Sequence, residues 1–336
     1  MIKLAIDLGS SMTKIYRADA GSGIVLAEPS CIAVRGEDRE VVAVGKDAKK
    51  LVGKTAEFTE IVFPVCEGEV VDERLAAQML KTFLARVDIP TSAWKRTETI
   101  FSVPCGATEE NKIALREIAQ ECGLKKIRFA EVPFLAALGS DAVLSESEPV
   151  FTIDIGGGMT NVAVVSTYGI IAGLSMNIGG NNMDENIALK IEREKGLKIG
   201  ALTAERIKNE IGSLSPIARA TTVAEGSSVA FFRPAAVSVQ STEIADCIRV
   251  YIDKIIEYAS LVLKKLPAEV AATVNKNGIY LSGGVAKLSF LSEYVSKKLD
   301  MRVHLCEEPQ FAVISGGGAL ARDKRLACRV CLQDEE

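Results

Sequence analysis

The sequence predicts an α/β protein made of two related halves, and three observations carry that expectation. Residues 151–166, FTIDIGGGMTNVAVVS, read as a strand, a three-glycine turn and a second strand. Residues 4–16, LAIDLGSSMTKIY, repeat that layout, with Asp7 matching Asp154, Gly9 matching Gly156 and Thr13 matching Thr160. Elsewhere β-type apolar runs alternate with helical periodicity, the pattern of βα units.

Each turn suggests a ligand. Glycine lets backbone approach a bound group closely, successive N–H groups form an anion-binding concavity, and a neighbouring carboxylate suits a divalent cation. The simplest occupant is a metal-bound phosphate; an ordinary glycine-rich hairpin is the alternative. Two such turns in one chain suggest a nucleotide held between two domains, where ligand clefts are common.

In chain order, strands are expected at 2–6, within 23–34 and at 41–44, then a short basic helix at 46–51. Residues 72–87 carry Leu75, Met79, Leu80, Phe83 and Leu84 on one helical face. A polar loop at 88–97 holds the single tryptophan, Trp94, beside Lys95 and Arg96. A strand at 98–103 ends at Pro104. Thr108 then caps a helix closed by Gly123. A strand at 127–130 and a small helix at 134–139 complete the first half.

In the second half a strand at 169–175 precedes Gly179-Gly180. Asn182 is expected to cap a helix over 183–195, and Thr203 one over 204–211. Residues 213–239 read as a small β-rich insertion, and 242–266 as a long amphipathic helix stopped by Pro267. After a strand at 278–282, Gly283-Gly284 should open a helix over 286–299, aiming its N-terminus at whatever lies beyond the strand. A last strand at 302–306 follows. Ser315-Gly316-Gly317-Gly318 should open a final helix, and 323–336 reads as a frayed tail. Glu205 and Lys208 share a helical face, either to meet a ribose and base or as a surface ion pair.

Composition narrows the classes. The 336 residues suffice for about two domains, and 48% hydrophobic with 25% charged residues is globular. A net charge of −4 gives no general attraction to nucleic acid. No apolar run reaches membrane-spanning length and the chain opens directly on a strand, so a cytoplasmic protein without signal peptide is expected. Eight scattered cysteines read as reduced thiols, Cys328-x-x-Cys331 lacking the second pair of a zinc site. The single histidine, His304, argues against a Ser-His-Asp triad.

Taken together, the two Asp-x-Gly hairpins and the later Gly-Gly motif resemble those of the actin, heat-shock-chaperone and sugar-kinase superfamily. Within it, IVLAEPSCIAV, VAVGKDAKKLVGKT, SVPCGATEENKIALREIAQECGL, IGGNNMDENI, TAERIKNEIGS and GIYLSGGVAKL resemble segments of the bacterial actin-like MreB family, over residues 2–320. The resemblance implies an actin-like ATPase fold: two ribonuclease-H-like domains, each with a small inserted subdomain. Domain I would comprise 1–140 plus 306–336, with an insertion at about 33–66. Domain II would comprise 141–305, with one at about 182–240.

The resemblance also implies roles. Asp7 and Asp154 would hold hydrated Mg²⁺. Gly9, Ser10, Ser11, Met12 and Thr13 would clamp ATP phosphates with Gly156, Gly157, Gly158, Met159 and Thr160. Gly179, Gly180, Glu205, Lys208, Gly283, Gly284 and Val285 would surround the adenosine. Asp7, Asp154 and Thr160 would be the catalytic set. The family's water-orienting glutamate directly precedes a proline, where this chain has Val132; Glu131 lies one residue earlier and faces the other way on a strand. Slow or absent hydrolysis is therefore expected. Trp94 would be a membrane contact repeated along a filament; the alternative is a solitary exposed or half-packed aromatic. Implied partners are further copies of the chain, a more active paralogue, the inner membrane surface and cell-wall synthesis machinery. A chaperone-like ATPase or reactivating factor acting with a partner is the alternative. A sugar or acetate kinase is a third reading, disfavoured because it needs an acceptor pocket and no segment of this sequence reads as one.

Overall fold

A computed structural model describes residues 2–332, except 20–22, 55–57, 88, 141, 143 and 146. Its frame is two five-stranded sheets of equivalent strand order. The first half runs β1 (Lys3–Leu8), β2 (Met12–Arg17) and β3 (Ile24–Pro29), then β4 (Ile32–Arg35), β5 (Glu40–Val44), α1 (Lys46–Lys49) and β6 (Thr59–Val62). A short ladder, β7 (Val65–Cys66) and β8 (Glu69–Val70), leads into α2 (Glu73–Arg86) and α3 (Thr91–Trp94). β9 (Glu98–Val103), α4 (Glu109–Glu121), β10 (Lys126–Glu131) and α5 (Val132–Gly139) follow. The sheet order is β10-β9-β1-β2-β3, with β9 and β10 parallel to β1 and the hairpin strands antiparallel.

The second half opens with β11 (Val150–Ile155), β12 (Thr160–Ser166), β13 (Gly169–Met176) and α6 (Gly180–Lys195). Next come β14 (Leu197–Lys198), α7 (Ala201–Ile211), β15 (Thr221–Ser228), β16 (Pro234–Gln240), α8 (Ser241–Lys264) and α9 (Ala268–Asn277). β17 (Ile279–Ser282), α10 (Leu291–Leu299) and β18 (Val303–Leu305) finish it. The order β13-β12-β11-β17-β18 maps strand for strand onto the first sheet. Two three-stranded sheets, β5-β4-β6 and β14-β15-β16, stand apart as the small insertions. Finally α11 (Ala312–Arg322) and α12 (Lys324–Val330) return to the first half, where the Leu332 N–H donates to Phe129 O.

Burial explains these elements. Every residue of β11 and β12 is buried, so both strands are nearly continuous apolar runs. In α2 the Asp72 side chain accepts from Leu75 N, and the predicted stripe Leu75, Met79, Leu80, Phe83 and Leu84 is buried. Helices α5 and α11 share a core with residues of both large sheets, including Ile100, Ala130, Val150 and Ala163. They cross closely: a Cβ on Gly139 would lie 1.8 Å from Ala312 O, and one on Gly316 would lie 1.8 Å from Leu135 O.

Several expectations change. Helices α6 and α7 begin at Gly180 and Ala201, each three residues before the predicted helix start. Asn182 instead lies inside α6 and accepts from Gly179 N. Gly283-Gly284 opens a 3₁₀ turn (Gly284–Lys287), and α10 restarts only after Phe290, whose left-handed φ of 64° breaks the path. Gly316, Gly317 and Gly318 sit inside α11, which begins at Ala312; they are there for close packing. The tail is helical through Val330 because Asp323 caps α12 at Arg325 N and Leu326 N. The expected boundary at residue 141 and the chain end at 333–336 lie outside the described residues.

Trp94 is also reassigned. It ends the short helix α3, is only 8% exposed, and its indole Nε1 donates to Ile89 O at 3.3 Å. Its ring meets the space beside Gly123 and belongs to the first-half core. The polar neighbours Lys95 and Arg96 are exposed while the indole points inward, so Trp94 offers no surface to a lipid. Trp94→Ala is expected to cost about 3–5 kcal/mol of stability, read as a lowered denaturant midpoint, with no selective loss of vesicle co-sedimentation by the folded protein.

Candidate functional site

A cavity of about 490 Å³ lies between the two halves, over the C-terminal ends of β1, β9 and β11. Its base is made by the two hairpin turns, which face each other. A Cβ on Gly157 would lie 1.9 Å from Ser11 Oγ, and one on Gly158 would lie 2.8 Å from Ser10 Oγ. Only glycine permits that approach. The turn amides of Ser10, Ser11, Gly157 and Gly158 donate to no protein acceptor among the described residues, whereas the Gly9 and Gly156 amides close their own turns onto Met12 O and Met159 O. Two concave runs of free N–H groups therefore oppose one another.

Of the residues expected from sequence, Asp7, Gly9, Ser10, Ser11, Met12, Asp154, Gly156, Gly157, Gly158 and Met159 line this cavity. So do Gly180, Glu205, Lys208, Gly283, Gly284, Val285 and Val132. Thr13, Thr160 and Gly179 do not. Thr13 is fully buried with its hydroxyl 2.8 Å from Ser30 Oγ, and Thr160 Oγ1 donates to Ile178 O at 2.6 Å. Strand alternation is the reason: once Met12 and Met159 face the cleft, Lys14 and Asn161 face it too, and the intervening threonines face away. Gly179 is instead a backbone contact, its Cβ position 2.4 Å from Gly157 O.

The carboxylates sit in unequal surroundings. Asp7 is held on both sides, Oδ2 by Lys14 Nζ at 2.8 Å and Oδ1 by Ser102 Oγ at 2.7 Å. Asp154 is buried and accepts from Ser282 Oγ at 2.8 Å. Burial pushes its acid up to about 6, against the opposing pull of Ser282 and Lys14. Glu131 is absent from the cavity wall; its Oε1 accepts from Gly106 N at 2.8 Å, and burial raises its acid above the ordinary range.

Glu205 and Lys208 do not pair with each other. Lys208 is buried, 2.7 Å from Asp184 Oδ2 and 2.9 Å from Gly180 O, so its ammonium ties α7 to α6. Asp184 was not anticipated. It lines the cavity, burial pushes it up to about 6, and its Oδ1 is buried without a partner. Glu205 reaches Lys49 Nζ at 2.7 Å, an ion pair that spans the cleft mouth from α7 to α1. Lys14, Asn161, Ser102, Ser282, Asp184 and Lys49 all escaped the sequence reading. The first two had a usable signal: they hold the same place in the internal repeat, in register opposite Asp7 and Asp154.

The residues present fit a phosphate chain with a hard cation. The amides supply neutral donors, Lys14 supplies charge, and the orphaned Asp184 oxygen and the Gly283–Val285 turn supply a polar and an apolar wall. Among the described residues no group of three or more His, Cys, Asp or Glu side chains converges as metal ligands. Asp7 and Asp154 match Mg²⁺, which takes one or two carboxylates with waters and phosphate oxygens.

Two ribonuclease-H-like sheets, two small insertions and a glycine-lined cleft between the halves define an actin-like α/β protein. The model of the MreB/Mbl protein family matches residues 1–328. The chain is 35% identical over 320 residues to the cell shape-determining protein MreB of Escherichia coli strain K12, covering 94% of this chain and 92% of that protein. It is 30% identical over 318 residues to the cell shape-determining protein Mbl of Bacillus subtilis, covering 94% and 95%. Among solved structures, MreB5 of Spiroplasma citri bound to AMPPNP superposes with a TM-score of 0.90, at 28% identity over 96% of both chains. A chain of the MamK double helical filament shares the fold, with a TM-score of 0.79, at 22% identity over 96% of this chain and 99% of that one. The chain belongs to the MreB/Mbl family.

Proposed function

We propose that this chain binds ATP with Mg²⁺ in the central cleft, assembles with further copies into actin-like filaments that serve bacterial cell shape, and hydrolyses the nucleotide weakly or not at all. One observation carries the reading: the two opposed turns present free amides to one point, with Asp7 and Asp154 at its edge. The similar Spiroplasma citri protein has been solved bound to AMPPNP and to ADP, and curated relatives carry the name cell shape-determining protein.

In this reading the turn amides hold the β- and γ-phosphates, and Lys14 adds charge beside Asp7. Asp7 and Asp154 hold the cation through its waters, while Gly180, Glu205 and Gly283–Val285 enclose the adenosine. Mg²⁺, when bound, neutralises phosphate charge. At the position where the family resemblance places a water-orienting glutamate, Val132 is apolar, and the neighbouring Glu131 carboxylate is engaged at Gly106. A positioned base contributes about 10²–10⁴ in rate. Val132→Glu is therefore expected to raise phosphate release at least tenfold over the native protein. Equal release from both would show that the missing acceptor does not limit turnover.

Attachment at the inner membrane face, contact with cell-wall synthesis machinery and co-polymerisation with a paralogue complete the reading, without Trp94 as the lipid contact. Among the described residues no helix is long and apolar enough to cross a membrane. Electron microscopy of the purified chain with and without Mg²⁺-ATP tests the central claim. Filaments dependent on nucleotide support it. Monomers under both conditions, with nucleotide bound, would replace it with a partner-dependent or chaperone-like role.

A further inference from the structure

A second cavity, of about 360 Å³, lies at the opposite end of the first sheet. Strands β1 and β9 reach the nucleotide cleft with Asp7 and Ser102; their other ends, Lys3 and Glu98, form part of this cavity. Its charged wall consists of Lys3, Lys125, Lys126, Arg128 and Lys324, with Glu98 as the only carboxylate among the lining residues. Five cations against one anion leave a formal excess of four positive charges, in a chain whose net charge is −4.

The arrangement is set by register. Lys3 and Lys126 both pair with Glu98 across adjacent parallel strands, so the three side chains share one face of the sheet. Arg128 is two residues beyond Lys126 and lies on that face as well. Among the described residues none of the five cations makes an ion pair. Lys3 Nζ is oriented by Ala321 O at 2.6 Å, in the last turn of α11, where helix carbonyls favour a cation. Among the described residues Arg128 has only a long contact, 4.0 Å, to Cys328 Sγ, which leaves its planar fork available. Like charges gathered round a concavity repel one another unless an anion joins them.

We propose that this cavity binds a phosphate-bearing dianion, a phosphomonoester or diphosphate group, at a site separate from the nucleotide cleft. Arg128 supplies bidentate hydrogen bonds to it, Lys3 a fixed ammonium, and Lys126 and Lys324 mobile charge. Glu98 sets the specificity: it repels the oxygens of a ligand without a proton or a carbon at that corner. The group comes either from a soluble phosphate compound or from an anionic lipid headgroup, and the two are separable by experiment.

The test uses the full chain with its cleft saturated by Mg²⁺-ADP. Inorganic pyrophosphate is titrated by calorimetry into the native protein and into Lys126→Glu and Arg128→Glu, two exposed positions whose folding is checked by thermal melting. The native protein is expected to bind one pyrophosphate saturably, at least tenfold more tightly than either variant, with affinity falling as salt rises. In parallel, sedimentation with vesicles of phosphatidic acid, whose headgroup is a phosphomonoester, in phosphatidylcholine compares the same proteins. Pelleting that both variants lose and pyrophosphate reverses assigns the site to a lipid headgroup. Pyrophosphate binding without variant-sensitive pelleting assigns it to a soluble ligand. Binding that survives both variants, or a native protein that takes up neither probe, overturns the proposal.

Discussion

Asp154→Asn should melt at a higher temperature than the native protein at pH 7 and yet fail to retain Mg²⁺-nucleotide. Both effects have one cause. The Asp154 carboxyl is buried, and burial raises its acid from 3.8 to about 6. Because the folded-state value lies above the unfolded one, the folded protein binds the extra proton between about pH 4 and pH 6. The associated stability is complete below the unfolded value and is lost as pH rises through the folded one. At pH 7 the ionised group costs roughly 3 kcal/mol. Asparagine carries no charge and can still accept from Ser282. The gain in melting temperature should thus be largest at neutral pH and vanish below about pH 4. Nucleotide binding has the opposite need, because a dication requires the ionised carboxylate; Mg²⁺-dependent affinity of the native protein should fall as pH drops below about 6. Melting scans across pH, with a fluorescent-nucleotide titration in Mg²⁺, measure both. A variant less stable than native at pH 7, or one that binds Mg²⁺-nucleotide equally well, would remove Asp154 from its assigned role.

Gly316→Ala sets two forces against each other. Helix propensity favours alanine over glycine inside a helix by about 1 kcal/mol, and α11 carries three consecutive glycines at Gly316, Gly317 and Gly318. Packing opposes it. The new Cβ would lie 1.8 Å from Leu135 O and 3.0 Å from Gly139 N, which are backbone atoms of α5 that no rotamer change can move aside. Overpacking a core costs about 1–3 kcal/mol or more, and here two helices buried between both sheets would have to part. A net loss of at least 2 kcal/mol is expected, read from the midpoint of urea unfolding at unchanged slope. A stabilised variant would mean that the helices separate freely.

Where the sequence was informative, one local signal sufficed. The repeated Asp-x-Gly hairpins located both turns, because glycine placement and alternation are local properties of a strand pair. Apolar periodicity placed α2 and capping chemistry placed α4, where Thr108 bonds the amide three residues on. Misreadings arose where tertiary contacts decide. The repeat equated Thr13 with Thr160 correctly, but equivalence says nothing of orientation, and both threonines turn away from the cleft. A glycine run reads as a helix start; in α11 it is a flat surface for α5. The charged neighbours of Trp94 suggest a lipid contact, whereas a single indole hydrogen bond and a place beside Gly123 draw it inward. Asp184 and Lys49 meet their partners at separations of 24 and 156 residues, beyond the reach of any window.

The order of the strands has a mechanical consequence. In each large sheet the strand bearing the aspartate, β1 or β11, is the middle one of five, clamped by hydrogen bonds on both sides. The mouth of the cleft is held differently: small outlying sheets flank it, and one partly exposed ion pair, Lys49 with Glu205, bridges it. The two halves thus resemble the arms of a pair of tongs joined where α5 packs on α11. By lever geometry, any turn of one half against the other about that contact would be smallest at the joint and largest at the outer rims.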